Sequence, residues 1–144
     1  MDDMYYMDLA LDEAKKAYRQ DDVPIGCVIV RDGKVIATGY NRKEIDNIAT
    51  SHAEMIAINE ACKSLGTWYL ETCVLYTTVE PCMMCSGAIL QSRIKRVVYG
   101  VNNDSFGYLS KIDTKIEVIG GIRETECKNL LSNFFKDKRE KQNC

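Results

Sequence analysis

The order of elements along the chain predicts an α/β fold: a mixed sheet of about five strands with helices on both faces. Two observations carry that prediction. An early hairpin pattern supplies adjacent antiparallel strands, and helical and strand-like stretches alternate after it, in the order α-β-β-α-β-α-β-β-α. The 144 residues suit one compact domain spanning 1–144, and no Gly/Ser-rich linker, low-complexity tract or internal repeat divides them.

Each element has its own signal. Met7, Leu11, Ala14 and Tyr18 recur at roughly helical spacing, which predicts a helix over 4–20, broken by Asp21-Asp22-Val23-Pro24. Residues 26–30 form an apolar run rich in branched side chains. Asp32-Gly33 then signals a tight turn into a partner strand over 35–40. The polar stretch 41–51 reads as loop, with Thr50 and Ser51 as N-cap candidates for a helix over 52–65 that Gly66 ends. A short strand follows over 73–78, then a turn through Val79-Glu80-Pro81-Cys82 into a helix reaching about Ser92. Strands over 97–99 and 115–119 and a helix over 123–141 complete the series.

Composition excludes several classes. Hydrophobic residues make up 46% and charged residues 28%, the balance of a globular protein, and no apolar run approaches the length of a membrane span. The start, Met1-Asp2-Asp3-Met4, is acidic and lacks the features of a secretory signal, so the cytoplasm is the expected compartment. With a formal net charge of −2, any nucleic-acid contact would need local basic patches. Seven cysteines, an odd number without a signal peptide, argue against a disulfide framework. Cys27 and Cys62 sit in apolar patterns and read as core, and Cys144 reads as a free thiol on a mobile tail. The pair Cys82 and Cys85 remains to be explained.

Two stretches carry chemistry: His52-Ala53-Glu54 and Pro81-Cys82-Met83-Met84-Cys85. Each falls where a predicted helix begins, and a helix N-terminus favours thiolates through its partial positive charge and free amides. Cys82 and Cys85, three apart, share one face of a first helical turn, so both sulfurs can reach one ion. His52 can add an imidazole. Three N/S ligands leave one tetrahedral position for water, the mark of a catalytic zinc. Glu54, two residues beyond His52, leaves the helix in a different direction and can shuttle protons beside the metal without ligating it. Taken alone, Cys-x-x-Cys also fits a redox pair or half of a structural site. A redox pair has no use for His-x-Glu, however, and a four-cysteine site needs a second close pair that the chain lacks. His52 is the only histidine.

His-Ala-Glu followed by Pro-Cys-x-x-Cys resembles the zinc nucleobase deaminase signature. Val23-Pro24-Ile25-Gly26, Gly39-Tyr40-Asn41-Arg42, Ser92-Arg93-Ile94, Gly120-Gly121-Ile122 and Leu131-Ser132-Asn133-Phe134-Phe135 with its basic tail extend the resemblance to the tRNA adenosine deaminases that convert wobble adenosine to inosine. That resemblance implies a cytidine-deaminase-like three-layer α/β/α fold, one zinc per subunit, and a homodimer holding a tRNA anticodon stem-loop across both subunits. By position it implies that Asn41 hydrogen-bonds the flipped base, Val23 lines the pocket wall and Phe135 lies near bound nucleotides. Lys136, Lys138, Arg139 and Lys141 would meet phosphates. Without the resemblance, Asn41 reads equally as a turn cap, Val23 and Phe135 as core, and the basic run as a solvated helix end. The chain departs from the family after Gly100. Where bacterial members commonly read Ala-Arg-Asp, with the Asp at the ribose, it reads Val101-Asn102-Asn103; Asn103 can still bond a 2′-hydroxyl as a neutral group. The following loop, 104–114, is shorter than usual for the family.

The expected activity is therefore hydrolytic deamination of adenosine in tRNA, with Glu54 protonating N1 as ammonia leaves. The alternative is a deaminase of a free nucleobase or nucleoside such as guanine, cytosine or cytidine. The basic helix with Phe134-Phe135 favours RNA, and the short loop and acidic balance favour the small molecule. A non-catalytic zinc subunit that only presents RNA would have no use for Glu54.

Overall fold

The computed structural model describes residues 2–142; Met1 and Cys144, whose thiol the sequence placed on a mobile tail, lie outside the described residues. The first helix, α1 (Asp3–Arg19), begins at Asp2, whose side chain accepts the Tyr5 N–H at 3.0 Å. Strands β1 (Gly26–Arg31) and β2 (Lys34–Tyr40) form the predicted hairpin. Its turn residues Asp32 and Gly33 both have positive φ, 50° and 74°, as a turn matching the right-handed strand twist requires.

The polar stretch after β2 is not all loop. It contains a one-turn helix, α2 (Lys43–Asp46), whose free N–H groups at Glu44 and Ile45 are taken by the Asp22 carboxylate. Because that acceptor lies far back in the chain, no local pattern announces the turn. Then come α3 (Ala53–Leu65), β3 (Cys73–Val79), α4 (Met83–Gln91), β4 (Arg96–Val101), a single 3-10 turn (Leu109–Lys111), β5 (Glu117–Ile119) and α5 (Glu124–Gln142).

The five strands lie in the order β2-β1-β3-β4-β5. β1 runs antiparallel to β2 and β3, whereas β3, β4 and β5 are mutually parallel, so the sheet is mixed as predicted. Side chains alternate between two apolar clusters, one on each face. Cys27, Ile29, Leu75 and Val97 point toward α3 and α4, while Val28, Val30, Tyr76 and Val98 point toward α1 and α5. Both sequence readings of cysteines as core hold: Cys27 is fully buried and Cys62 packs at the cluster edge.

One close approach fixes the site. A Cβ on Gly39 of β2 would lie 2.4 Å from the Ala53 carbonyl oxygen, so only glycine lets the first turn of α3 seat directly on the strand.

Candidate metal centre and active site

Two helix starts meet at one end of the sheet. His52 is the N-cap of α3 and Cys82 the N-cap of α4, and both have the extended backbone of that position. Neither side chain caps its helix. Thr50 and Ser51, the predicted caps, stand outside the helix. The cap position goes instead to a residue whose side chain turns away from the helix, toward its partners. His52 Nδ1 lies 3.6 Å from Cys82 Sγ and 3.6 Å from Cys85 Sγ, with Cys85 on the first turn of α4. One ligand atom from each of the three residues falls within 4.8 Å of the others. One imidazole and two sulfurs, half-buried to buried, form a donor set that fits one zinc ion per chain and leaves a tetrahedral position to solvent.

Glu54 stands outside that donor cluster yet against it. It is only 4% exposed, and burial lifts its carboxyl to about 7, with the charge of Cys82 adding to the lift. Cys82 is driven the other way, to about 4, first by the hydrogen bond with Cys85 and then by His52. Cys85 is correspondingly pushed up by Cys82 and by burial, and the His52 imidazole is raised chiefly by its hydrogen bond with Cys82. These shifts run in the directions such a site needs, Cys82 toward the thiolate form that binds metal and the buried Glu54 carboxyl upward, toward proton exchange near neutral pH.

Asn41 is buried at the end of β2, and the Arg42 N–H bonds the Ser51 carbonyl at 2.9 Å, so the strand end borders the His52 segment. Its amide Nδ2 donates to Asp22 Oδ1 at 2.9 Å. Val23 is half-buried in the adjoining turn, its N–H donating to the same Asp22 oxygen at 2.9 Å. Asp22 is completely buried and accepts four hydrogen bonds, from Val23, Asn41, Glu44 and Ile45. The sequence read it only as part of a helix break.

Asn103 is half-buried, and its Oδ1 accepts the Phe106 N–H at 3.0 Å, which leaves the amide donors as its free end. The loop that carries it is held by Glu80, a 2% exposed carboxylate next to Pro81-Cys82. Glu80 accepts from Asn103 N (3.2 Å), Ser110 N (3.0 Å) and the Ser110 hydroxyl. A Cβ at Gly107 would lie 2.4 Å from Glu80 Oε1, so glycine is needed where the loop crosses it.

Phe135 is 45% exposed on α5, and its neighbour Phe134 is buried against Tyr18. Lys138 is not free: its Nζ lies 2.8 Å from Asp21, and Lys141 lies 3.9 Å from the same carboxylate. Lys136 and Arg139 are exposed. The predicted basic patch is thus partly neutralised within the chain, and the same ion pairs dock the end of α5 beside the turn that holds Asp22 and Val23.

Comparison with known proteins gives a consistent picture. Residues 1–101 match the cytidine and deoxycytidylate deaminase zinc-binding region. A tRNA-specific adenosine deaminase of Bacillus subtilis (strain 168) is 42% identical over 149 aligned positions, which cover 97% of this chain and 92% of that protein. Among solved structures, a protein studied for A-to-I editing at the wobble position of transfer RNA superposes with a TM-score of 0.83 at 39% identity, covering 88% of this chain and 99% of the other. A guanine deaminase from Bacillus subtilis aligns at 41% identity with a TM-score of 0.68, over 71% of this chain and 66% of its own.

Proposed function

The chain belongs to the zinc-dependent cytidine and deoxycytidylate deaminase family, among its tRNA-specific adenosine deaminases, and from that premise we propose that it converts adenosine to inosine at the wobble position of tRNA. The observation that carries the reading is Glu54, a carboxyl only 4% exposed, set against the His52, Cys82 and Cys85 donor cluster without joining it.

When bound, zinc supplies Lewis acidity and brings the pKa of water toward about 7, so that a nucleophile exists at neutral pH. His52, Cys82 and Cys85 hold the ion. Glu54 takes a proton from the attacking water, places it on adenine N1, and carries the next to the amine as ammonia departs from C6. The net change is addition of one water and loss of one ammonia. The Asn41 amide, fixed by Asp22, hydrogen-bonds the base, Val23 walls the pocket, and the free amide of Asn103 meets the ribose 2′-hydroxyl. Phe135, with the exposed Lys136 and Arg139, approaches the nucleotides and phosphates of the anticodon stem-loop. A wobble base is already unpaired, so little energy is lost in extruding it.

The same reading makes residues 1–144 one deaminase domain that works as a homodimer in the cytoplasm, a part that rests on family resemblance. Among the described residues no helix is long and apolar enough to cross a membrane. The free-base alternative is not favoured: the likeness to adenosine deaminases reaches 42% identity over 97% of the chain, whereas guanine deaminases align either at 41% over only 71% of it or at only 24% over 92% of it.

The test is incubation with an anticodon stem-loop bearing adenosine at the wobble position, beside a panel of free bases. Inosine is the expected product; turnover of guanine or cytosine with none of the stem-loop would overturn the assignment. Glu54→Gln is expected to keep stoichiometric zinc while losing roughly a hundredfold or more in turnover, and Cys82→Ala to lose the metal. Full activity in the Glu54 variant would refute its role.

A further inference from the structure

We propose that the groove between the start of α4 and the loop after β4 is a stacking subsite for a nucleobase next to the target adenosine, with Phe106 as its platform. The proposal rests on the tRNA reading and adds a second contact to it.

The groove is shallow and open to solvent, about 330 Å³, with Cys82, Met83, Phe106 and Tyr108 in its lining. Phe106 is 75% exposed and Met83 65%, although both belong to well-tied backbone. Large apolar side chains left open to water beside a reactive centre indicate a surface that something covers.

Continuity with the metal centre decides what that is. Cys82 is at once a wall of the groove and a member of the donor cluster, and Gly107 pairs with it across an isolated β-bridge. A nucleotide next to the target is joined to it through a single phosphodiester, so when the extruded base reacts at the ion, a splayed neighbour is tethered within reach of this groove. A free nucleobase has no neighbour to fill it.

The platform is preorganised. Phe106 N–H donates to Asn103 Oδ1 at 3.0 Å, Gly107 N–H to the Asn103 carbonyl at 2.9 Å, and Tyr108 N–H to the Pro81 carbonyl at 3.1 Å. Glu80 anchors both ends of the loop, at Asn103 and Ser110. The ring is thus presented by a fixed turn, and little conformational entropy remains to be lost on binding. Every base has a π-face, so such a platform selects for an unpaired, splayed neighbour rather than for a particular sequence.

The test measures inosine formation and stem-loop affinity for Phe106→Ala and Phe106→Trp. Alanine is expected to raise KM roughly tenfold, the size of one base–aromatic stack, with zinc content retained, and tryptophan to restore it. An abasic site on one side of the target should weaken the unsubstituted enzyme by a similar factor and add nothing to the alanine variant. Unchanged KM for Phe106→Ala would overturn the proposal. So would loss of a dimer by sedimentation in that variant, because the groove would then be covered by a second copy of the chain. If the unsubstituted enzyme deaminates guanine and leaves the stem-loop untouched, the tRNA reading fails and this inference falls with it. Conversion that is indifferent to Phe106 sinks the inference alone.

Discussion

Asp22 and Glu80 do the same physical work in the two segments that flank the ligand-bearing helix starts, Asp22 at the segment leading to His52 and Glu80 beside Cys82. Each is a buried carboxylate that gathers backbone N–H groups from a distant loop and ties down an asparagine, Asn41 by its side chain and Asn103 by its backbone N–H. Removing Asp22 leaves four donors without their acceptor, and buried unsatisfied donors are costly. Asp22→Ala is expected to lose about 3 kcal/mol of stability and, with Asn41 free to rotate, to raise KM for the stem-loop about tenfold, one hydrogen bond's worth, while keeping its zinc. Urea unfolding beside steady-state kinetics measures both. A variant that matches the parent in both would remove Asp22 from the site. Legibility divides along the same line. His52, Glu54, Cys82 and Cys85 could be read from the sequence because their chemistry is written in spacings of two and three residues. Asp22 and Glu80 could not, because their partners at Glu44, Ile45 and Ser110 come together only through the fold. Phe106 went unnoticed because exposure is invisible in sequence.

At the level of elements, the hairpin was legible down to its Asp32-Gly33 turn, since a two-residue turn with both φ positive leaves a composition signature. The start of α3 was misread by one or two residues: a capping side chain was expected where a ligand side chain stands. The start of α1 offers a test of another kind. Arg96 of β4 grips Asp3 with two hydrogen bonds, at 2.9 and 2.7 Å, and the Tyr76 hydroxyl of β3 adds a third at 2.7 Å. The Arg96 guanidinium thereby holds the Asp3 carboxyl below its ordinary 3.8, Tyr76 helping. A folded-state value below the unfolded one stabilises the fold above about 3.8, and that contribution disappears as pH falls through the lower folded value. Asp3→Asn is accordingly expected to cost about 1–2 kcal/mol near neutral pH. The gap from the parent should close in acid below 3.8. Thermal melts of the pair across that range check it; a gap that widened in acid would reverse the sign.

For the molecule as a whole, the question is whether the metal makes the fold or the fold makes the metal site. Small zinc modules with no core of their own unfold when stripped. Here the sheet buries an apolar cluster on each face, and the His52, Cys82 and Cys85 donor atoms are brought within 4.8 Å by elements seated on that sheet, α3 against β2 and α4 after β3. Stripping the ion with a chelator is therefore expected to abolish deamination while leaving a cooperative transition and native helical circular dichroism. Because zinc binds the folded arrangement alone, saturating it adds stability by mass action, about 4 kcal/mol at a thousandfold excess over Kd. The melting temperature should keep rising with the logarithm of free zinc, even beyond the point where the site fills. Leu75→Ala, in the fully buried centre of β3, gives the contrast. It is expected to cost about 3–4 kcal/mol, lowering the melting temperatures of the stripped and loaded forms together while leaving the gap between them unchanged. Collapse of the stripped protein to an unfolded chain would show instead that the ion, rather than the two apolar faces, holds α3 and α4 in place.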